Sequence, residues 1–161
     1  MKKLKIRAYQ FNDCKEITQL FYNTVHSVNI KDYAKAQLDV WATGTVDITI
    51  WNKSLMQNHT VVCENDEIIV GFGDLDNTGY FDRLYVHKDY LGKGIATAIA
   101  NDIENYAIKN EISLITTHAS ITAKHFFEQR GYKLIKEQQV ERKGIKLTNF
   151  VMGKIIGGLI L

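Results

Sequence analysis

Residues 84–97 read Leu84-Tyr85-Val86-His87-Lys88-Asp89-Tyr90-Leu91-Gly92-Lys93-Gly94-Ile95-Ala96-Thr97. An apolar strand ends, a short loop follows, and Gly92 and Gly94 bracket Lys93 where a helical period begins. Ile95, Ile99, Ile103 and Ala107 then recur every fourth residue on one stripe, with Tyr106 beside them. The opening N–H groups of a helix have no internal acceptor and sit at the positive end of its dipole. Glycines let a ligand approach the main chain, and Lys93 adds a full positive charge, so the pattern predicts a phosphate or diphosphate cradle. The glycines alone are equally compatible with a surface turn that only caps a helix. Two familiar nucleotide loops do not fit. No Gly-x-x-x-x-Gly-Lys-Ser/Thr string occurs, and Thr97 stands where a dinucleotide loop needs Gly or Ala. Such a loop also wants an acidic residue about 20 positions on, where Thr116-Thr117-His118 lies instead.

Upstream, strands are predicted over 4–9, 59–64, 67–74 and 80–87, the last three joined by the short turns Asn65-Asp66 and Asp76-Asn77-Thr78-Gly79, as in an antiparallel meander. Asp13 and Glu16 have the spacing of a capping box ahead of Ile17, Leu20, Phe21, Val25 and Val28, which repeat helically. A second helix is predicted over 33–41 with Asp32 as N-cap, and residues 42–58 show no clear period. Downstream come a buried strand over 113–117, a short helix over 121–130 closed by Gly131, and strands over 132–140 and 145–154. The order βααβββαβαββ is an α+β (mixed α/β) fold, with about four helices flanking a mostly antiparallel sheet; the helix after the fourth strand makes a crossover.

The chain has 161 residues, suited to one domain over 1–154 with an apolar tail over 155–161. Apolar residues make up 45% and charged residues 24%, which excludes disordered, collagen-like and disulfide-scaffold classes. A formal charge of +2 gives no broad footprint for nucleic acid. Cys14 and Cys63 have no metal-type pairing and read as reduced thiols of a cytoplasmic protein. The tail Ile155-Ile156-Gly157-Gly158-Leu159-Ile160-Leu161 is far shorter than the ~20 residues of a membrane span. An end strand, a contact in a homodimer and a disordered end all remain open for it. Lys2, Lys3 and Lys5 read as a solvated edge, and His59 and His87 as ordinary strand and loop residues.

The stretch Leu91 to Ala96 is similar to the Gln/Arg-x-x-Gly-x-Gly/Ala motif of the GNAT acetyltransferase superfamily. A second stretch, Ala123-Lys124-His125-Phe126-Phe127-Glu128-Gln129-Arg130-Gly131-Tyr132, resembles that family's Ala-x-x-Phe-Tyr-Glu-x-x-Gly-Phe signature. The order of elements agrees, so the resemblance covers essentially the whole chain; residues 137–144 and 147–150 look like a bacterial subgroup of small members. The resemblance implies the GNAT fold and a wedge for acetyl-CoA between the strands ending at His87 and His118. It implies a diphosphate held by the main chain of Gly92, Lys93, Gly94, Ile95, Ala96 and Thr97, and an acyl arm along Leu84, Tyr85 and Val86. Ser120 stands where many relatives place an Asn, Phe127 would pack along the arm, and no metal is required. Leu91 and Phe127 depart from the usual Gln or Arg and the usual Tyr. The missing phenol removes the group that protonates the departing thiolate in many relatives, which leaves Tyr85 or Tyr132 as alternative donors. A thiol leaves tolerably without help, and a general acid contributes about 10²–10⁴-fold.

An amine acceptor must lose a proton before it attacks. His118 has the side chain best suited to take it at neutral pH, and Asp82 is the second candidate. The alternatives are a strand-end histidine satisfied by a neighbour and a carboxylate paired with Arg83. Tyr22, His26, Tyr33, Trp41 and Trp51 populate the region that sets acceptor choice in this fold, and Tyr33 and Trp41 are placed to wall a pocket. The expected activity is transfer to a primary amine of a small molecule or peptide, with no nucleic-acid or membrane partner. A non-catalytic CoA-binding sensor is the alternative that Phe127 favours.

Overall fold

In the computed structural model, which describes residues 4–157, twelve elements follow the chain. They are β1 (Leu4–Ala8), α1 (Cys14–Ser27), α2 (Lys35–Trp41), α3 (Ile48–Gln57), β2 (His59–Asn65), β3 (Ile68–Leu75), β4 (Tyr80–Val86), α4 (Ile95–Lys109), β5 (Leu114–Ser120), α5 (Lys124–Gln129), β6 (Lys133–Arg142) and β7 (Ile145–Ile155). The strands form one sheet in the order β1-β2-β3-β4-β5-β7-β6. Every neighbouring pair is antiparallel except β4 with β5. A parallel pair needs a crossover, and α4 supplies it.

Alternation along the strands divides the interior into two cores. Val61, Cys63, Val70 and Ile115 face α4, whose stripe Ile95, Ile99, Ile103 and Ala107 is fully buried. Val62, Ile69 and Phe72 face the opposite way, against Ile17, Leu20, Phe21 and Val25 of α1. Gly71 and Gly73 let α4 lie close on β3. A Cβ at Gly73 would come within 2.8 Å of the Ile99 side chain and 2.9 Å of the Arg83 carbonyl oxygen.

Several local expectations give way to tertiary partners. Asp13 does not cap α1; its carboxylate accepts two bonds from Arg7, both 2.8 Å, and one from the Gln10 N–H at 2.7 Å. Glu16 instead accepts from the Ile69 N–H at 2.9 Å, tying α1 to β3. Such charge-assisted bonds outcompete a cap for the same oxygens. Asp32 is likewise not the cap of α2, which starts at Lys35; its carboxylate accepts from the Thr122 hydroxyl at 2.7 Å. The unreadable stretch holds a fifth helix, α3, capped by Asp47 on the Ile50 N–H. Ile48, Ile50 and Met56 are exposed and only Leu55 is buried, which blurs the helical period. The helix predicted over 121–130 is confined to Lys124–Gln129. The supposed tail begins inside the fold: Ile155 ends β7, and buried Ile156 donates its N–H to the Ser113 carbonyl at 2.9 Å. Lys2, Lys3 and residues 158–161 lie outside the described residues.

Glu104, on α4, joins three elements. It accepts from Arg130 at 2.9 and 3.1 Å, from Lys154 at 3.1 Å and from the Tyr132 hydroxyl at 3.0 Å. Burial alone would raise its carboxyl pKa, but the bonds from Arg130 and Lys154 outweigh that and hold it below the ordinary value.

Two outcomes follow. Gly73→Ala should lose about 1–3 kcal/mol in urea unfolding, because the Arg83 carbonyl cannot retreat without moving β4. The folded-state pKa of Glu104 lies below its unfolded value, so its contribution is present above the unfolded pKa and lost as pH falls through the folded one. Glu104→Gln should therefore lower the urea midpoint at pH 7 and flatten its decline between about pH 5 and pH 3 relative to the unsubstituted chain.

Candidate functional site

The site begins where the sheet comes apart. β4 and β5 pair only at Tyr80 with Thr116 and Phe81 with Thr117. The Thr117 hydroxyl closes the last rung on the Phe81 carbonyl at 2.8 Å. Beyond it both strands continue without pairing, and a cavity of about 620 Å³ fills the wedge. Leu84, Tyr85 and Val86 line one side and Ser120 and Phe127 the other, with Leu91 and Ala96 at the α4 end. Asp82, His118, Tyr33 and Trp41 also line it.

Gly92, Lys93, Gly94 and Thr97 are exposed and lie on the loop and first turn that lead into this space. Gly92 and Gly94 take φ of 73° and 79°, and a Cβ at either would meet no atom within 4 Å. Their conformation demands glycine, and the space before them is open. Helix α4 has no side-chain cap, and its first backbone bond runs from the Ala98 N–H to the Gly94 carbonyl at 3.0 Å. The N–H groups of Ile95, Ala96 and Thr97 thus have no acceptor among the described residues. Ile95 is 1% exposed and its side chain packs in the α4 core, which leaves only its main chain to face the cradle.

Other side chains are already partly engaged. The Val86 carbonyl accepts from the Thr24 hydroxyl at 2.9 Å, and the Ser120 hydroxyl accepts from the Ala123 N–H at 3.0 Å. The Tyr33 hydroxyl donates to the Thr148 carbonyl at 2.6 Å and accepts from the Ile121 N–H at 2.9 Å, so only its ring walls the cavity. Trp41 meets that ring edge-on at 5.2 Å. Phe127 is buried among Phe81, Phe126 and Tyr132 at 5.0–5.6 Å. Tyr132 does not reach the site: it lies outside the cavity lining and its hydroxyl is committed to Glu104. Tyr85 does line the cavity, between Phe21 and Phe72. Burial pushes its phenol pKa up, so it holds its proton at neutral pH.

On the far side of the wedge His118 is exposed, edge-on to Tyr80 at 5.1 Å and within 3.5 Å of the Gln138 amide. Asp82 is exposed as well, 3.8 Å from Arg83. Arg83 is held from behind by Asp74, donates to the Ser54 hydroxyl at 3.1 Å and lies 4.8 Å from the Trp51 ring centre. Burial pushes the Asp74 carboxyl up to about 6, against the pull of Arg83 and Asn58. Tyr80, Arg83, Asn149 and Arg142 all line the cavity and were not singled out from sequence. Arg142 and Asn149 arrive through the β5-β7-β6 pairing, which no local pattern announces.

Comparison with known proteins agrees with this geometry. The family profile described as Acetyltransferase (GNAT) domain matches residues 29–154. The chain belongs to the GNAT acetyltransferase family. Over 153 residues it is 33% identical to the uncharacterised N-acetyltransferase YafP of Escherichia coli (strain K12), covering 94% of this chain and 96% of that one. A GCN5-related N-acetyltransferase structure from Rhodopseudomonas palustris superimposes with a TM-score of 0.92 at 28% identity, over 97% of this chain and 98% of its own. YncA of Salmonella typhimurium, solved with its cofactor acetyl-CoA, has the same fold at a TM-score of 0.74 and 16% identity, over 99% and 97% of the two chains. Within this GNAT acetyltransferase, the wedge between β4 and β5 and the bare start of α4 border one cavity. Among the described residues, no helix is long and apolar enough to cross a membrane.

Proposed function

We propose that this acetyltransferase passes the acetyl group of acetyl-CoA directly to a primary amine of a small molecule or peptide, both bound at once. The observation that carries the reading is the coincidence of two openings: the unpaired stretch of β4 and the uncapped N-terminus of α4 face one cavity. The residues fit a diphosphate, because Gly92 and Gly94 leave clear space before unpartnered N–H groups and beside the Lys93 ammonium. Acetyl-CoA, when bound, supplies the thioester acetyl group. The main chain of Leu84 to Val86, free of β5, orients the arm and offers N–H groups to the developing oxyanion. His118 takes the amine's proton, with Asp82 as the second base; both border the part of the cavity farthest along β5 and β4 from the cradle. The Tyr85 phenol is the donor that remains for the thiolate, since Tyr132 is spoken for and Phe127 has no hydroxyl.

The sensor reading draws on Phe127 alone. Free-thiol release from acetyl-CoA, followed over a panel of small amines and peptide N-termini, separates the two. Thermal stabilisation by CoA with no turnover on any amine would favour the sensor.

Gly92→Glu and Gly94→Glu should each abolish CoA binding by calorimetry, because a side chain and a negative charge enter the cradle. Affinity equal to that of the unsubstituted chain would remove the diphosphate from this loop. His118→Ala should lower kcat/KM at pH 7 by about 10²-fold or more, with CoA affinity kept, and should erase the acidic limb of the pH–rate profile. An unchanged profile would make His118 structural.

A further inference from the structure

We infer that the acceptor is an amine that also carries a carboxylate, and that Arg142 is the residue that selects it. This rests on the transferase reading above and narrows it to a substrate class.

Three lining residues carry a formal charge: Asp82, Arg83 and Arg142. Arg83 is neutralised from behind by Asp74, which is fully buried, and is fixed further by Ser54 and the Trp51 ring. Asp82 lies 3.8 Å from that same guanidinium, so its charge is already shared. Arg142 is different. It ends β6, paired with Ile145, and among the described residues its guanidinium has no ion pair and no side-chain hydrogen bond. Burial raises the phenol pKa values of Tyr80 and Tyr85, and the charge of Arg142, which lines the same cavity, works against that rise at both. Among the charged lining residues Arg142 is therefore the one without a counter-charge in contact, and an anion would supply it.

A guanidinium offers a planar fork that matches a carboxylate with two parallel bonds. A polyamine would bring a second positive charge beside Arg142 and leave that guanidinium without a partner. Trp41, Trp51 and Tyr80 also line the cavity, and their rings suit the apolar body between the two charged ends.

The two tryptophans of the chain, Trp41 and Trp51, both line this cavity, so intrinsic fluorescence reports occupancy without any need for turnover. With CoA present, the protein is titrated with phenylalanine, with 2-phenylethylamine, which differs only by lacking the carboxylate, and with spermidine. Phenylalanine should bind at least ~10-fold tighter than its partner, the scale of one charge-assisted hydrogen bond. That ratio should collapse in Arg142→Ala, partly persist in Arg142→Lys and stay intact in the neighbouring control Lys143→Gln. Equal binding of the pair, tighter binding of spermidine, or a ratio unchanged in Arg142→Ala would overturn the inference. Thiol release is measured on the same ligands. Turnover without carboxylate preference sinks this inference and spares the transferase. Carboxylate-selective binding with no turnover on any amine supports the selectivity and leaves the sensor reading of the site.

Discussion

Two residues of parallel pairing hold the middle of this sheet together, and then the strands part. Tyr80 with Thr116 and Phe81 with Thr117 are enough to fix β4 against β5, and the Thr117 hydroxyl reinforces the last rung. The proposed site depends on the pairing stopping there. Backbone N–H and C=O groups in a sheet are ordinarily consumed by neighbours. By diverging after Phe81, β4 leaves that edge unpaired with β5 beside the cavity, while its other edge stays bonded to β3 from Gly71 to Leu75. A single strand is thus paired along one side and, apart from the Val86 carbonyl held by Thr24, open on the other.

Helix α4 completes the arrangement from a second direction. Its stripe is buried to within 1% of full coverage, and Gly71 and Gly73 bring it close onto β3, so its open end is aimed by core packing. The loop before it contributes left-handed glycines, and the helix contributes unpartnered donors. Neither part suffices by itself, since a bare helix end is common and a glycine turn more so.

The legible part of the sequence was the part governed by local rules. The i, i+4 spacing of Ile95, Ile99 and Ile103, the turns of the meander and the glycines around Lys93 all act over a few residues. What escaped was set by distant partners. Asp13 and Glu16 have the spacing of a capping pair, yet Arg7 and the Ile69 amide claimed them. Helix α3 was hidden because its apolar residues Ile48, Ile50 and Met56 face outward. Tyr132 carries a phenol at the end of the second signature, but Glu104, 28 residues earlier, holds it. Arg142 gave no signal, because its place over the cavity is decided by how β6 and β7 wrap beside β5.

The division of the interior into two cores has a further meaning. On one face, Glu104 binds α4, α5 and the end of β7 into a single block that carries the proposed donor cradle. On the other, α1, α2 and α3 rest on a separate cluster and bring Phe21, Trp41 and Trp51 to the cavity wall. Substitutions that reshape the acceptor wall need not disturb the donor block, and the reverse holds as well. One scaffold can then keep its coenzyme chemistry constant while its choice of amine drifts.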